Sequence, residues 1–137
     1  MSKILGIDYG GHRMGLAISD EGWQYAFIFK TLDFTSKTLM KDLVEICHDE
    51  KVKKIILGLP LNQHGEVGPK AQEVTDWAKE VEMLLKIPII FEDERFTSVM
   101  SKKLLHNSGR KKKRPKGDID QQSARLILQA YLDKQHG

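Results

Sequence analysis

The sequence is poor in cysteine, in proline and in long apolar runs. Its 137 residues include one cysteine, Cys47, and four prolines. A single cysteine excludes an internal disulfide and a cysteine-based zinc site, and it fits a reducing compartment. No apolar run approaches the roughly 18 residues that a membrane span needs, and the chain does not start like a secretion signal. We therefore expect a cytoplasmic protein that has no membrane partner.

The length and the even composition indicate one domain. Domains commonly have about 100–150 residues, and this chain falls in that range. It contains no internal repeat and no linker rich in Pro, Gly or Ser. We expect residues 1–137 to form a single domain, which is long enough to bury a hydrophobic core.

Basic residues are concentrated in one segment of the chain. Residues 102–116 hold eight Lys or Arg and no acid, whereas the whole chain has a net charge of only +3. Such a segment on an otherwise acidic body suits a polyanion such as nucleic acid, although a solvated loop could have the same composition. Its centre is a loop at about 109–117. The candidate nucleic-acid contacts there are Arg110, Lys111, Lys112, Lys113 and Arg114.

The hydrophobic pattern predicts three strands followed by alternating helices and strands. The expected order is β-β-β-α-β-α-β-α-α, which is typical of an α/β domain with a mixed five-stranded sheet flanked by helices. The first three strands should be antiparallel. The predicted strands cover residues 3–10, 14–20, 24–32, 53–60 and 87–91, and the predicted helices cover residues 36–50, 69–85, 97–106 and 118–133.

Asp8 lies inside the first apolar strand, in the segment ILGIDYGG. Strand alternation puts it on the same face as Ile4 and Gly6. A buried ionised acid is costly unless it is paired or bound to a metal ion. Asp8 is thus a candidate metal ligand, and the alternative is an acid that caps the turn at residues 10–11.

A second group of charged residues follows the last predicted strand. Glu92, Asp93, Glu94 and Arg95 come directly after IIF. Active groups in α/β sheets gather at the carboxyl ends of the strands, so this group is a candidate for the same site. The alternative is a solvated strand end with a local pair between an acid and Arg95.

The third candidate acid is Asp120, near the start of the last predicted helix. At about 100° per residue it lies in line with Ala124 and Tyr131 on the apolar side of the helix. It could equally be an acid stabilised by the helix dipole. Asp118 lies about 160° away from Asp120 around the helix axis. We expect Asp118 to cap the helix, since Gln121 follows it three residues later.

Carboxylates from three separate elements suit a hard cation. Mg²⁺ or Mn²⁺ takes oxygen ligands, and two such ions about 4 Å apart can activate water and stabilise the leaving oxygen of a phosphodiester. The basic segment would then bind the phosphate backbone by its charge. These residues predict a metal-dependent phosphodiesterase that acts on nucleic acid.

Four segments of the chain form a recognisable series, ILGIDYGGHRMGLAISD, GLPLNQHGEVGPKA, DERFTS and DIDQQSARLILQAYL. Together, in order and spacing, they resemble the YqgF/RuvX family. The resemblance implies an RNase H-like fold, similar to the RuvC-type Holliday junction resolvases. It implies a hydrolase, a metal-dependent endonuclease that helps to process the 5′ end of the 16S ribosomal RNA precursor during ribosome biogenesis.

The resemblance also implies roles for individual residues. Asp8, Glu94 and Asp120 match the acids that would bind metal, and they would share two ions. Neighbouring residues on a strand face opposite ways, so we expect only one of Asp93 and Glu94 to bind directly, and we favour Glu94. Arg13 and Arg95 match family positions at which they would contact phosphate or hold the acids in place.

Three other functions stay open at the level of sequence. A DNA junction resolvase would use the same chemistry as a two-fold dimer, whereas we expect a monomer or weak homodimer. A non-catalytic RNA-binding assembly factor would keep the fold without the reaction. The segment DYGGHRMG also resembles the phosphate loop of actin-like and sugar-kinase ATPases, but a single domain offers no second wall to close over a nucleotide.

Overall fold

The computed structural model describes residues 2–10, 12–60, 64–93 and 116–136, and of residues 116–120 only the backbone. Within these ranges the chain forms five strands and three helices, and none of the helices is long and apolar enough to cross a bilayer. The strands are β1 (Lys3–Tyr9), β2 (Arg13–Ser19), β3 (Ala26–Asp33), β4 (Val52–Leu59) and β5 (Ile89–Asp93), and the helices are α1 (Leu39–Asp49), α2 (Pro69–Leu85) and α3 (Lys116–His136).

The strands form one mixed sheet in the order β3-β2-β1-β4-β5. β1 pairs antiparallel with β2, and β2 pairs antiparallel with β3. On the other side, β1 pairs parallel with β4, and β4 pairs parallel with β5. The fold class expected from the sequence, a mixed five-stranded sheet flanked by helices, is confirmed.

Each face of the sheet has its own hydrophobic core. α1 and α2 cover the face that carries Leu5 and Ile7 of β1. α3 covers the opposite face, where Ile4 of β1 and Ala17 of β2 are buried. The alternation expected for β1 is therefore confirmed, and Asp8 belongs to the α3 face because it follows Ile4 by four residues.

Gly6 allows α3 to lie very close to the central strand. A Cβ on Gly6 would lie 2.7 Å from the Cβ of Leu128 and 3.0 Å from the carbonyl oxygen of Ala124. The stripe of α3 that was expected to face the core does so, since Ala124, Ile127 and Tyr131 are buried.

Two glutamines fix the direction of α3 across the sheet. Gln121 donates a hydrogen bond to the Thr31 hydroxyl near the end of β3, at 3.0 Å. Gln129 accepts one from the Ala26 N–H at the start of β3, at 2.9 Å, and donates another to the Gln24 carbonyl. α3 therefore runs opposite to β3 and to β1, so its first turns lie at the carboxyl end of β1.

Two helix starts differ from the expected ones. α3 begins at Lys116, so Asp118 lies in its first turn and the prediction that Asp118 caps the helix is wrong. α1 begins at Leu39 instead of residue 36. There the Ser36 hydroxyl accepts a hydrogen bond from the Thr38 N–H, which holds these residues in a turn. The predicted helix at 97–106 and residues 109–115 of the predicted basic loop lie outside the described residues, whereas residues 116–117 of that loop are the first residues of α3.

Candidate metal and nucleic-acid site

Asp8 lies near the carboxyl end of the central strand, between two glycines. On one side its paired residue is Gly15 of β2. On the other side Ile7 pairs with Leu57, so the next residue along β4, Gly58, lies at the level of Asp8. Asp8 is half-buried. Neither of these neighbours in the sheet carries a side chain beside the carboxylate on the α3 face.

Glu92 of β5 extends this line of residues across the sheet, since it pairs with Gly58. We call Gly15, Asp8, Gly58 and Glu92 the Asp8 row. Glu92 is buried, at 8% exposure, and it forms an ion pair with Lys134 of α3. The sequence interpretation grouped Glu92 with its neighbours but gave it no role. Strand alternation with Ile90, which packs in the α3 core, is the signal that could have found it.

The structure brings the backbone of Asp120 to the same end of the sheet. Gln121, the next residue, hydrogen-bonds Thr31, whose paired residue is Gly15 of the Asp8 row. Asp120 also lies one helical turn, about 6 Å, before Ala124. Asp8 lies two residues, about 6.6 Å, beyond Gly6, which Ala124 contacts. The backbone of Asp120 on α3 therefore lies above the sheet at about the same height along β1 as Asp8.

Arg13 begins β2 on the α3 face, two residues before Gly15. It pairs in register with Asp33 of β3. The Thr35 hydroxyl and N–H donate to Asp33 and lower the pKa of its carboxyl, and the positive charge of Arg13 lowers it further. Arg13 thus lies at the same edge of the sheet as Asp8, where an anionic ligand would meet a positive charge.

On the other face, an aromatic cluster holds the end of β1. The Tyr9 ring lies 4.5 Å from that of Phe34 and 5.2 Å from that of Trp77, measured between centroids. Burial raises the pKa of Tyr9, and a hydrogen bond to the Glu73 carboxylate raises it further. Lys70 lies over the Tyr9 ring and pairs with Glu73 at 3.2 Å. The residue next to Asp8 is therefore anchored by packing to α2.

The glycines of the second family segment lie just before α2. Gly65 has a φ of 78°, which a residue with a side chain rarely adopts. Gly68 precedes Pro69 at the start of the helix, and a Cβ on Gly68 would meet no atom within 4 Å. The loop requires glycine at residue 65 for its backbone, whereas packing does not require it at residue 68.

Several predicted site residues fall outside the described part of the chain. These are Glu94, Arg95, Arg110, Lys111, Lys112, Lys113, Arg114 and the side chain of Asp120. Asp93, the alternative ligand, is exposed and pairs with Leu59, which packs in the α1–α2 core, so alternation turns it away from the α3 face. Among the described residues no three His, Cys, Asp or Glu lie close enough together to hold a metal ion.

Comparison with solved structures shows which class of protein shares this fold. A structure of Thermus thermophilus RuvC in complex with Holliday junction substrate matches it with a TM-score of 0.60, over 100% of this chain and 97% of that chain, at 14% sequence identity. A second structure of RuvC from the same organism matches with a TM-score of 0.56, over 98% and 96% of the two chains. The chain therefore has the RNase H-like fold of the RuvC resolvases.

The sequence comparisons identify the family. The RuvX family model, described as Holliday junction resolvase, matches residues 2–134. A relative from Syntrophomonas wolfei is 43% identical over 96% of this chain and 94% of its own length. One from Bacillus subtilis is 35% identical over 96% and 97%. Both carry the name "Putative pre-16S rRNA nuclease". The chain belongs to the RuvX family, as its motifs predicted.

Proposed function

We propose that this chain is a metal-dependent nuclease that hydrolyses phosphodiester bonds while the 5′ end of the 16S ribosomal RNA precursor is processed. The names of its relatives support this substrate. The observation that carries the proposal is the position of Asp8 between Gly15 and Gly58, below the first turns of α3. An acid flanked by two glycines near the carboxyl end of a central strand suits a cation and a phosphate better than it suits packing.

In this proposal Asp8, Glu94 and Asp120 hold Mg²⁺ or Mn²⁺, two ions in all. The donor set fits, because carboxylate oxygens from three elements are what hard cations prefer. Bound ions would lower the pKa of the attacking water and stabilise the leaving oxygen. Asp8 would hold the ions together with the other two acids, and Arg13 and Arg95 would contact the phosphate or hold the acids in place.

The remaining parts of the chain bind substrate. The basic segment, with Arg110 to Arg114 at its centre, holds the phosphate backbone by charge. One sheet covered on both faces supports a single domain over residues 1–137. In this proposal the domain acts as a monomer or weak homodimer. A free, buried Cys47 is compatible with a reducing cytoplasm, where ribosomes are assembled.

A second candidate is the cleavage of branched DNA. The description of the family model, Holliday junction resolvase, favours it. The chemistry and the carboxylates would be the same, and the two functions would differ in substrate and in the need for a two-fold dimer. A third is an RNA-binding assembly factor that does not cleave.

The test is a cleavage assay in Mn²⁺ or Mg²⁺ with two substrates. A precursor fragment of 16S ribosomal RNA is compared with a four-way DNA junction. The enzymes are the wild type, Asp8→Asn and Asp120→Asn. Asp133→Asn is the matched control, since Asp133 is an exposed acid at the other end of α3. A sedimentation experiment on the same samples reports the oligomeric state.

The outcomes separate the candidates. RNA cleavage that disappears in Asp8→Asn and Asp120→Asn, but persists in Asp133→Asn, supports the proposed function. Cleavage of the junction alone, by a dimer, supports the resolvase. RNA binding without cleavage of either substrate supports the assembly factor. Cleavage that survives both active-site substitutions overturns the proposed site.

A further inference from the structure

Glu92 is an unusual residue for the interior of this protein. In the described part of the chain it is the one buried residue that carries a charge. Its carboxylate accepts a hydrogen bond from the Lys134 ammonium, which is itself mostly exposed. A buried carboxylate is costly, and removing its partner would leave an uncompensated charge. A neutral side chain on β5 would avoid that cost, so the pair calls for an explanation.

The pair connects β5 to the far end of α3. The other polar contacts of α3 described above go to β3, through Gln121 and Gln129. Tyr131 adds a long contact, in which Lys54 of β4 donates to its hydroxyl at 3.5 Å. Lys134 reaches past β4 to Glu92 on the edge strand. The ion pair therefore adds to the packing of Ile90 in the α3 core, and the two contacts together hold α3 against β5.

That position matters for the acids of the proposed site. Asp120 is carried by α3, Asp8 lies on β1, and Glu92 belongs to the Asp8 row on the face that α3 covers. A change in the angle between α3 and the sheet would change the separation of Asp120 and Asp8. Metal ions require their ligands within a few tenths of an ångström, so such a change weakens binding.

We propose that Glu92 and Lys134 are a positioning pair that sets the spacing of the metal-binding carboxylates, and that Glu92 is not itself a metal ligand. The inference rests on the proposed function, because it assumes that Asp8, Glu94 and Asp120 bind metal. It adds a role for two residues that take no part in the reaction. Their effect is exerted through the placement of α3 on the sheet.

The test measures Mn²⁺ binding to the full chain by isothermal titration calorimetry, without substrate. The variants are Glu92→Gln, Lys134→Met and the exchanged pair, which combines Glu92→Lys with Lys134→Glu. Asp8→Asn serves as the reference for a lost ligand. Glu50→Gln is the matched control, because it removes an ion pair, with Lys3 at 3.7 Å, whose carboxylate is more exposed than that of Glu92. Thermal unfolding reports the folded fraction of each sample.

We expect each single variant to fold and to bind Mn²⁺ about tenfold more weakly, which is the lower end of the effect of outer-shell changes on metal affinity. The exchanged pair should recover part of the affinity, and Glu50→Gln should bind like the wild type. Recovery by the exchanged pair distinguishes a positioning role from a role as ligand, since a lysine at residue 92 cannot bind a metal cation.

Three results would overturn the inference. Unchanged affinity in folded Glu92→Gln and Lys134→Met would show that the pair only stabilises the fold. Loss of binding as complete as in Asp8→Asn, without recovery in the exchanged pair, would make Glu92 a ligand. No Mn²⁺ binding by the wild type, or normal binding by Asp8→Asn, would remove the proposed site and this inference with it. Unchanged affinity in the folded single variants would leave the proposed function in place.

Discussion

Gly6 of β1 and Leu128 of α3 approach each other so closely that a Cβ on Gly6 would lie 2.7 Å from the Cβ of Leu128. We expect Gly6→Ala to push α3 away from the sheet. Overpacking of this kind costs about 1–3 kcal/mol in the free energy of unfolding. Urea unfolding followed by circular dichroism measures it, and Mn²⁺ binding should weaken in the same variant because α3 carries Asp120.

Gly68→Ala is the control for this substitution. A Cβ there would meet no atom within 4 Å, and the backbone is extended, with a φ of −93°. We expect it to change stability by less than about 1 kcal/mol, through its position at the start of α2. Equal losses in the two variants would contradict the view that contact with α3 is what excludes a side chain at Gly6.

The titration of Tyr9 should respond to Glu73. Burial raises the pKa of Tyr9, and Glu73 raises it further through a hydrogen bond and its charge. Glu73→Gln removes the charge but not the burial, so the pKa of Tyr9 should fall only part of the way towards 10.0. Absorbance at the tyrosinate band, with Tyr9→Phe to assign the signal, measures it.

The same shift affects stability at alkaline pH. Because the pKa of Tyr9 is higher in the folded state, its contribution to stability is present below pH 10 and is lost as the pH rises through the folded value. We expect the alkaline loss of stability to begin at the same pH in Glu73→Gln but to be smaller. A larger alkaline loss in Glu73→Gln than in the wild type would contradict the assignment.

Cys47 should be unreactive until the protein unfolds. Burial raises the pKa of its thiol to about 11, so almost no thiolate is present near neutral pH. We expect negligible reaction with a disulfide reagent at pH 8 and full reaction in urea. Between pH 9 and 11 the Cys47 thiol ionises in the unfolded state before it ionises in the folded state. As the pH rises through this range, the wild type should therefore lose stability relative to Cys47→Ala, by at most about 1.4 kcal/mol per pH unit.

The basic segment should determine how RNA binding depends on salt. The plot of log K against log salt has a negative slope, and each phosphate contact that is lost makes this slope less steep by about 0.7 for a single strand. We expect the triple change of Lys111, Lys112 and Lys113 to Gln to weaken binding and to flatten this slope. The same change at three exposed lysines of the body, Lys37, Lys41 and Lys79, is the control for net charge. Equal effects of the two triple changes would contradict a specific role for the segment.

Much of the fold could be predicted from the sequence because its signals are local. The alternation along β1 and the apolar stripe through Ala124 and Tyr131 assigned these residues to the correct faces. The start of α3 was missed because the Asp118–Gln121 pattern describes a possible cap, whereas the helix continues two residues further, to Lys116. A capping pattern does not exclude an earlier start.

The details of the candidate site depend on contacts that no local pattern records. Gly15 and Gly58 flank Asp8 only because of the register of three strands. Glu92 is buried because Lys134, 42 residues away, reaches it. The family resemblance compensated for part of this gap, since it implied Asp8 and Asp120 without any knowledge of register. It could not indicate Glu92, which lies outside the matched DERFTS segment.

Gln129 has a further consequence, for the behaviour of the molecule among its own copies. β3 is an edge strand with Phe27 and Ile28 exposed, and such an edge can recruit another chain into an aggregate. The amide of Gln129 already occupies the Ala26 N–H and the Gln24 carbonyl. An incoming strand could not pair with these two backbone groups, so the helix that brings Asp120 to the sheet also blocks the beginning of this edge against pairing with another chain.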